Sequence, residues 1–169
     1  MTREIPLTRG QVALVDDADY EWLSQWKWSA QYNPYTKSFY AVRRIHNGKA
    51  KPEYPLMHRL ILNAAKGVQV DHKNRMTTDN RRDNLRLCTI GQNRANAIGQ
   101  PGRRKSLYKG IWWCKKNHKW RARIQCREVR IHLGYFLTET AAAQAYNAAA
   151  LTYFGEFACL NQIDGASCG

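Results

Sequence analysis

Trp120, Ala122 and Ile124 alternate with Arg121, Arg123 and Gln125. A period of two puts successive side chains on opposite faces of a strand, so this stretch must lie half-buried in a sheet with its basic face outward. The same split recurs at Arg130-Ile131-His132-Leu133. Tight turns are expected at Lys116-Asn117-His118 and near Arg127-Glu128. The reading is a three-stranded antiparallel sheet, apolar behind and basic in front.

The apolar back needs a cover. Thr138 suits an N-cap, with Glu139 favourable in the first turn. Ala142, Ala145, Tyr146, Ala149 and Tyr153 recur at helical spacing, and Gly155 ends the run. A helix rich in alanine can lie close to a sheet. Upstream, Gly99-Gln100-Pro101-Gly102-Arg103-Arg104-Lys105-Ser106 breaks regular structure and reads as a basic linker.

The first 55 residues read as β-rich. Short strands are expected at Ile5-Pro6-Leu7, Gln11–Val15, Trp26-Lys27-Trp28 and Phe39–Arg44. Asp16, Asp17 and Asp19 mark a capped helix start, and Trp22, Trp26 and Trp28 are expected in the core. Tyr40, Arg43 and Arg44 are candidates to extend a nucleic-acid contact.

The chemistry concentrates between residues 71 and 93. Asp71 and His72 end a strand containing Val68-Gln69-Val70; Asn84 precedes a second strand from Leu85 to Thr89; Asn93 lies on a helix that Thr89 could cap. Hydrolysis of a phosphodiester requires a base for water and a cation for the leaving oxygen. Histidine can be a neutral base near neutral pH. A carboxylate and an amide oxygen are hard ligands suited to Mg²⁺ or Mn²⁺. His72 is thus the candidate base, Asp71 and Asn93 the candidate metal ligands, and Asn84 the orienter of the loop.

The stretch from Met57-His58-Arg59-Leu60 through VDHKN and DNRRDNLRLCT to QNRAN resembles the His-Asn-His (HNH) endonucleases. That resemblance implies a ββα-metal core in which His72 matches the general base, Asn84 the middle asparagine that positions it, and Asp71 the metal-binding acid. Asn93 stands where many members have the last histidine, as in the His-Asn-Asn variant among phage and intron homing enzymes. From Tyr108 to Asn161 the pieces YKGI, KWRARI, RIHLGYF and TETAAAQAYNAAALTYFGEFACLN resemble the ethylene-response-factor (APETALA-type) DNA-binding domain. Carried over by position, Lys109, Trp112, Arg121, Arg123, Gln125, Arg130 and His132 would face DNA. Trp112, Cys114 and His132 depart from the plant pattern, so the plant target sequence does not transfer.

Charge agrees with a polyanionic partner. The chain holds 27 Lys and Arg against 13 acids, a net +14. Residues 1–56 carry eight basic and six acidic side chains (+2), 57–107 eleven and three (+8), and 108–169 eight and four (+4). The excess peaks around the Asp-His pair. No apolar run is long enough for a membrane span, and MTREIPLTRG lacks the apolar segment of a signal peptide. Cys88, Cys114, Cys126, Cys159 and Cys168 form no C-x-x-C pair, which argues against a structural zinc and suits a reducing cytoplasm.

These readings give an α+β chain. Residues 1–55 form a β-rich segment, 56–98 the nuclease core, 99–107 a linker, 108–162 a sheet-and-helix DNA-binding domain, and 163–169 a tail. The expected function is metal-dependent, site-selective cleavage of double-stranded DNA by a homing-type endonuclease. It would act in the cytoplasm of a bacterial host, encoded by a phage or prophage, and needs no obligate protein partner. The alternative is a transcriptional regulator without nuclease activity.

Overall fold

The computed structural model describes residues 1–46, 48, 51–98 and 106–163. Most of the linker (99–105) and the last six residues of the tail, Cys168 among them, lie outside them. The chain mixes helices with small antiparallel sheets and divides into two compact units, Met1–Thr89 and Ile90 onward.

The first unit is built from hairpins. Strands β1 (Thr2–Pro6) and β2 (Val12–Asp16) pair with Ile5 opposite Ala13, and helix α1 (Asp17–Ser24) follows. Strands β3 (Ser29–Asn33) and β4 (Ser38–Val42) form a second hairpin. Its turn is tied by Asn33, whose Oδ1 accepts from the Tyr35 and Thr36 amides. A short helix α2 (Met57–Ile61) leads to the third hairpin, β5 (Gln69–His72) and β6 (Leu85–Cys88). Ile5, Ala13, Val15, Leu23, Trp28, Met57, Ile61, Val70 and Leu85 share one core. The leader is therefore packed into the same body as the Asp-His strand.

Three expectations for the leader fail. Trp26-Lys27-Trp28 is not a strand; β3 begins after it. Trp28 is buried and its indole donates to the Leu23 carbonyl, but Trp22 is 36% and Trp26 48% exposed. Their amphipathic rings find other partners at the surface. The Trp22 indole donates to Asp19, and the Arg43 guanidinium lies 4.0 Å over the Trp26 ring. Asp16 is the residue before α1, yet its side chain does not cap the helix; Oδ2 accepts from the Arg82 amide at 2.7 Å.

The second unit opens with helix α3 (Ile90–Asn96). Strands β7 (Ile111–Cys114), β8 (Lys119–Cys126) and β9 (Val129–Phe136) form the three-stranded antiparallel sheet, with turns where the sequence places them. A bulge between Ala122 and Arg123 leaves Leu133 as an extra residue on β9. Helix α4 (Glu139–Phe154) covers the back, capped by Thr138 Oγ1, which accepts from the Ala141 amide. The buried stripe is Ala142, Ala143, Tyr146 and Ala150, packed on Ile111, Ala122 and Ile124. It is rotated from the expected one, since Tyr153 is exposed. Asn147 and Asn161 exchange side-chain-to-backbone hydrogen bonds, and Asn161 also brackets the Lys109 peptide, pinning the segment after α4.

Candidate active site

His72 ends β5 opposite Leu85, and Asp71 lies opposite Arg86. Both members of the Asp-His pair are buried. Asp71 Oδ2 accepts from Arg86 Nε at 2.8 Å and is 2.7 Å from Nη2. An ion pair this enclosed fixes the carboxylate in one orientation.

The loop between β5 and β6 is stapled internally. Asn84 Oδ1 accepts from the Asn74 amide at 2.9 Å, and its Nδ2 donates to the Asp79 carbonyl at 2.7 Å. Asn84 therefore ties the start and the middle of the loop to the residue that precedes β6. Asp79 is the loop's second anchor. It takes Arg81 through both oxygens, at 2.8 and 2.7 Å, and Asn74 Nδ2 at 2.8 Å. The hydrogen-bonded Arg81 holds the Asp79 carboxyl below its usual range, more than offsetting burial. Arg82 fastens the loop to the leader, with Nε and Nη2 each 2.7 Å from the two oxygens of Asp19.

Around His72 stand groups that sequence reasoning assigned no catalytic part. The His58 ring packs edge-on against it, centroids 5.0 Å apart, and Tyr40 contacts both rings. Asn80, with no exposed surface, places Oδ1 3.3 Å from His72 Nε2. Burial pushes the His72 imidazole below its ordinary value, opposed by Asn80, Asp71 and Asp79. Burial, with His72 and Arg59 nearby, pushes His58 down to about 3. The two edge-to-face histidines are thus both uncharged at neutral pH, so His72 has a lone pair for accepting a proton. Only its own motif quoted His58 in advance. Nothing periodic in TTDNRRDN singles out Asn80.

Asn93 lies on α3, in the second unit. The described residues hold no cluster of three His, Cys, Asp or Glu side chains fit for a metal. The two expected donors lie in different units, a carboxylate at Asp71 in the first and an amide oxygen at Asn93 in the second. Each is a hard oxygen donor of the kind Mg²⁺ takes.

The front of the C-terminal sheet is the second candidate surface. Trp112 faces Arg121, which faces Tyr135; Arg123 faces His132; Gln125 faces Arg130. Arg123 and Arg121 lie 4.4 and 5.1 Å from the Trp112 ring centroid. Arg130 Nε donates to Gln125 Oε1, and His132 packs on Tyr135. The expected row is therefore one continuous face, with one exception. Lys109 donates its ammonium to the Ala95 and Ala97 carbonyls at 2.6 Å each, closing the end of α3 instead of joining the row.

Residues 56–95 match the family described as HNH endonuclease. The matched stretch covers α2, the β5–β6 hairpin and nearly all of α3. It contains His58, Asp71, His72, Asn80, Asn84 and Asn93, and supports nuclease activity at the level of that family. A protein of Oryza sativa subsp. japonica named for AP2/ERF and B3 domains is 43% identical over 70 residues, 40% of this chain. The chain spans 22% of that relative's length. No solved structure gives a significant match. Among the described residues no helix is long and apolar enough to cross a membrane.

Proposed function

We propose that this protein is a metal-dependent DNA endonuclease of the homing type, in which the HNH segment cuts and the C-terminal sheet selects the site. The observation that carries the reading is His72: a buried, neutral imidazole at a strand end, beside an oriented carboxylate, over a loop locked by Asn84. His72 accepts a proton from water; the water oxygen bonds to phosphorus and the P–O bond to the leaving strand breaks. Arg86 holds Asp71 in place for the reaction. Asp71 and Asn93 would hold Mg²⁺ or Mn²⁺, which when bound supplies charge stabilisation at the leaving oxygen. The basic front face, Trp112, Arg121, Arg123, Gln125, Arg130 and His132, lies along duplex DNA.

The test is plasmid nicking with and without EDTA. Cutting should stop in EDTA and return with added Mg²⁺ or Mn²⁺. Asp71→Ala and Asn93→Ala should each raise the metal concentration needed for half-maximal rate, or remove activity. Undiminished cutting in EDTA would sink the mechanism. DNA binding without any cutting would favour the regulator reading, to which the partial AP2/ERF similarity points.

Replacing Arg121 and Arg123 together with alanine should cut site preference more than the chemical step. Base-reading contacts are worth roughly 1–3 kcal/mol each, whereas phosphate contacts set salt-dependent affinity. The measurement is competition at fixed salt between a preferred site, selected from a random library, and bulk DNA. Full discrimination in the double variant would remove the sheet as reader.

A further inference from the structure

We infer that Asn80, clamped by leader strand β2, is a positioning residue that fixes the tautomer of the His72 base, so that Nε2 carries the proton and Nδ1 the lone pair. The inference rests on the nuclease reading of His72 and adds to it a residue and a segment outside that reading.

The argument runs through hydrogen-bond polarity. Asn80 Nδ2 lies 3.2 Å from the Thr78 carbonyl oxygen, which can only accept. The amide must therefore present its nitrogen to Thr78 and its oxygen to His72. That oxygen also only accepts, so the nitrogen 3.3 Å away, Nε2, must donate. A neutral imidazole has one N–H, and the lone pair then falls on Nδ1. A reversed amide would set two acceptors, its own oxygen and the Thr78 carbonyl, against each other beside a side chain with no exposed surface, and this end alone decides the orientation.

The leader holds this amide in register. The Leu14 amide donates to the Thr78 carbonyl at 2.9 Å, and the Asn80 amide donates to the Leu14 carbonyl at 2.8 Å. These bonds form a parallel bridge between Leu14 and Asp79. Two residues further, Arg82 is gripped by Asp16 and Asp19. The segment from Thr78 to Arg82 is thus fastened to β2 and α1 on both sides of Asn80. Thr78, which orients the amide, is itself oriented by Leu14. Leu14, Asp16 and Asp19 of the leader thereby serve the base through this loop.

The experiment is long-range ¹H–¹⁵N correlation of the His72 imidazole in the metal-free full-length protein at neutral pH, together with single-turnover cleavage and DNA affinity. Wild-type His72 should show a protonated Nε2 and a lone-pair Nδ1. Asn80→Ala should lose that single tautomer and cut at least about tenfold more slowly, with DNA Kd within about twofold; the hydrogen-bond partners of metal-ligating histidines, which fix a tautomer in the same way, have effects of this order. A role in folding alone would leave the tautomer of the folded variant unchanged, and that result would overturn the inference. If Asn80→Ala does not fold, the wild-type spectrum decides, because a ring protonated at Nδ1 excludes the assignment by itself. Failure of the wild-type protein to cut DNA would be a failure of the nuclease reading, visible before any variant is made. A cutting protein with Nδ1–H would refute only the role of Asn80.

Discussion

His72→Ala should lower DNA cleavage by about 10²–10⁴-fold, the usual cost of losing a positioned general base. Affinity for DNA should hardly change. The imidazole is buried and held below its ordinary pKa, so at neutral pH it brings no positive charge to the phosphates. Removing it takes away no counterion-releasing contact, and the salt dependence of binding should stay the same. The truncation leaves a space beside His58 and Tyr40, so some loss of stability is expected with it. The rate must therefore be compared at a temperature where both proteins are folded, by single-turnover cleavage with saturating enzyme. Wild-type rates in the folded variant would remove His72 from the mechanism.

The parts of this site that were legible in the sequence are those whose chemistry is local. Asp71 and His72 sit at a strand end because an apolar run gives way to a polar, turn-rich one. Asn84 precedes the next strand, and its two loop bonds reach only residues 74 and 79. The partners of the base were not legible because they come from far along the chain. Asn80 owes its position to Leu14, and Arg82 is bound by an aspartate 63 residues away. No periodicity announces such pairings. The leader tryptophans were misplaced for a related reason: an indole half-covered by Arg43 or bonded to Asp19 satisfies the same composition as a buried one. In α4 the stripe was rotated because alanine occupies nearly every candidate position, and a helix apolar all round does not declare its face.

Among the described glycines Gly110 leaves the least room for a side chain, and it precedes the alternating pattern. Its φ is +78°, a region that side chains rarely adopt, and its carbonyl accepts from the Arg123 amide at 2.9 Å. A β-carbon built there would overlap the Tyr146 ring and stand 2.6 Å from the Arg123 carbonyl oxygen. Tyr146 cannot swing aside easily, since it is buried among Ile111, Ala122, Ile124 and Ala142. Gly110→Ala should therefore combine backbone strain of about 1–3 kcal/mol with overpacking of about 1–3 kcal/mol, on the order of 4 kcal/mol in all. For a unit this small that is a fall in Tm of roughly 15 °C or more. Thermal unfolding of the full-length protein, followed by near-ultraviolet circular dichroism, measures it. Tyr146→Leu supplies the control through a double-mutant cycle. With the ring gone, the overlap is relieved while the positive φ and the Arg123 carbonyl remain, so Gly110→Ala should cost less in that background without becoming neutral. Equal costs in the two backgrounds would show that the ring is not the obstacle. A Gly110→Ala protein as stable as wild type would mean that β7 and α4 do not approach each other as described.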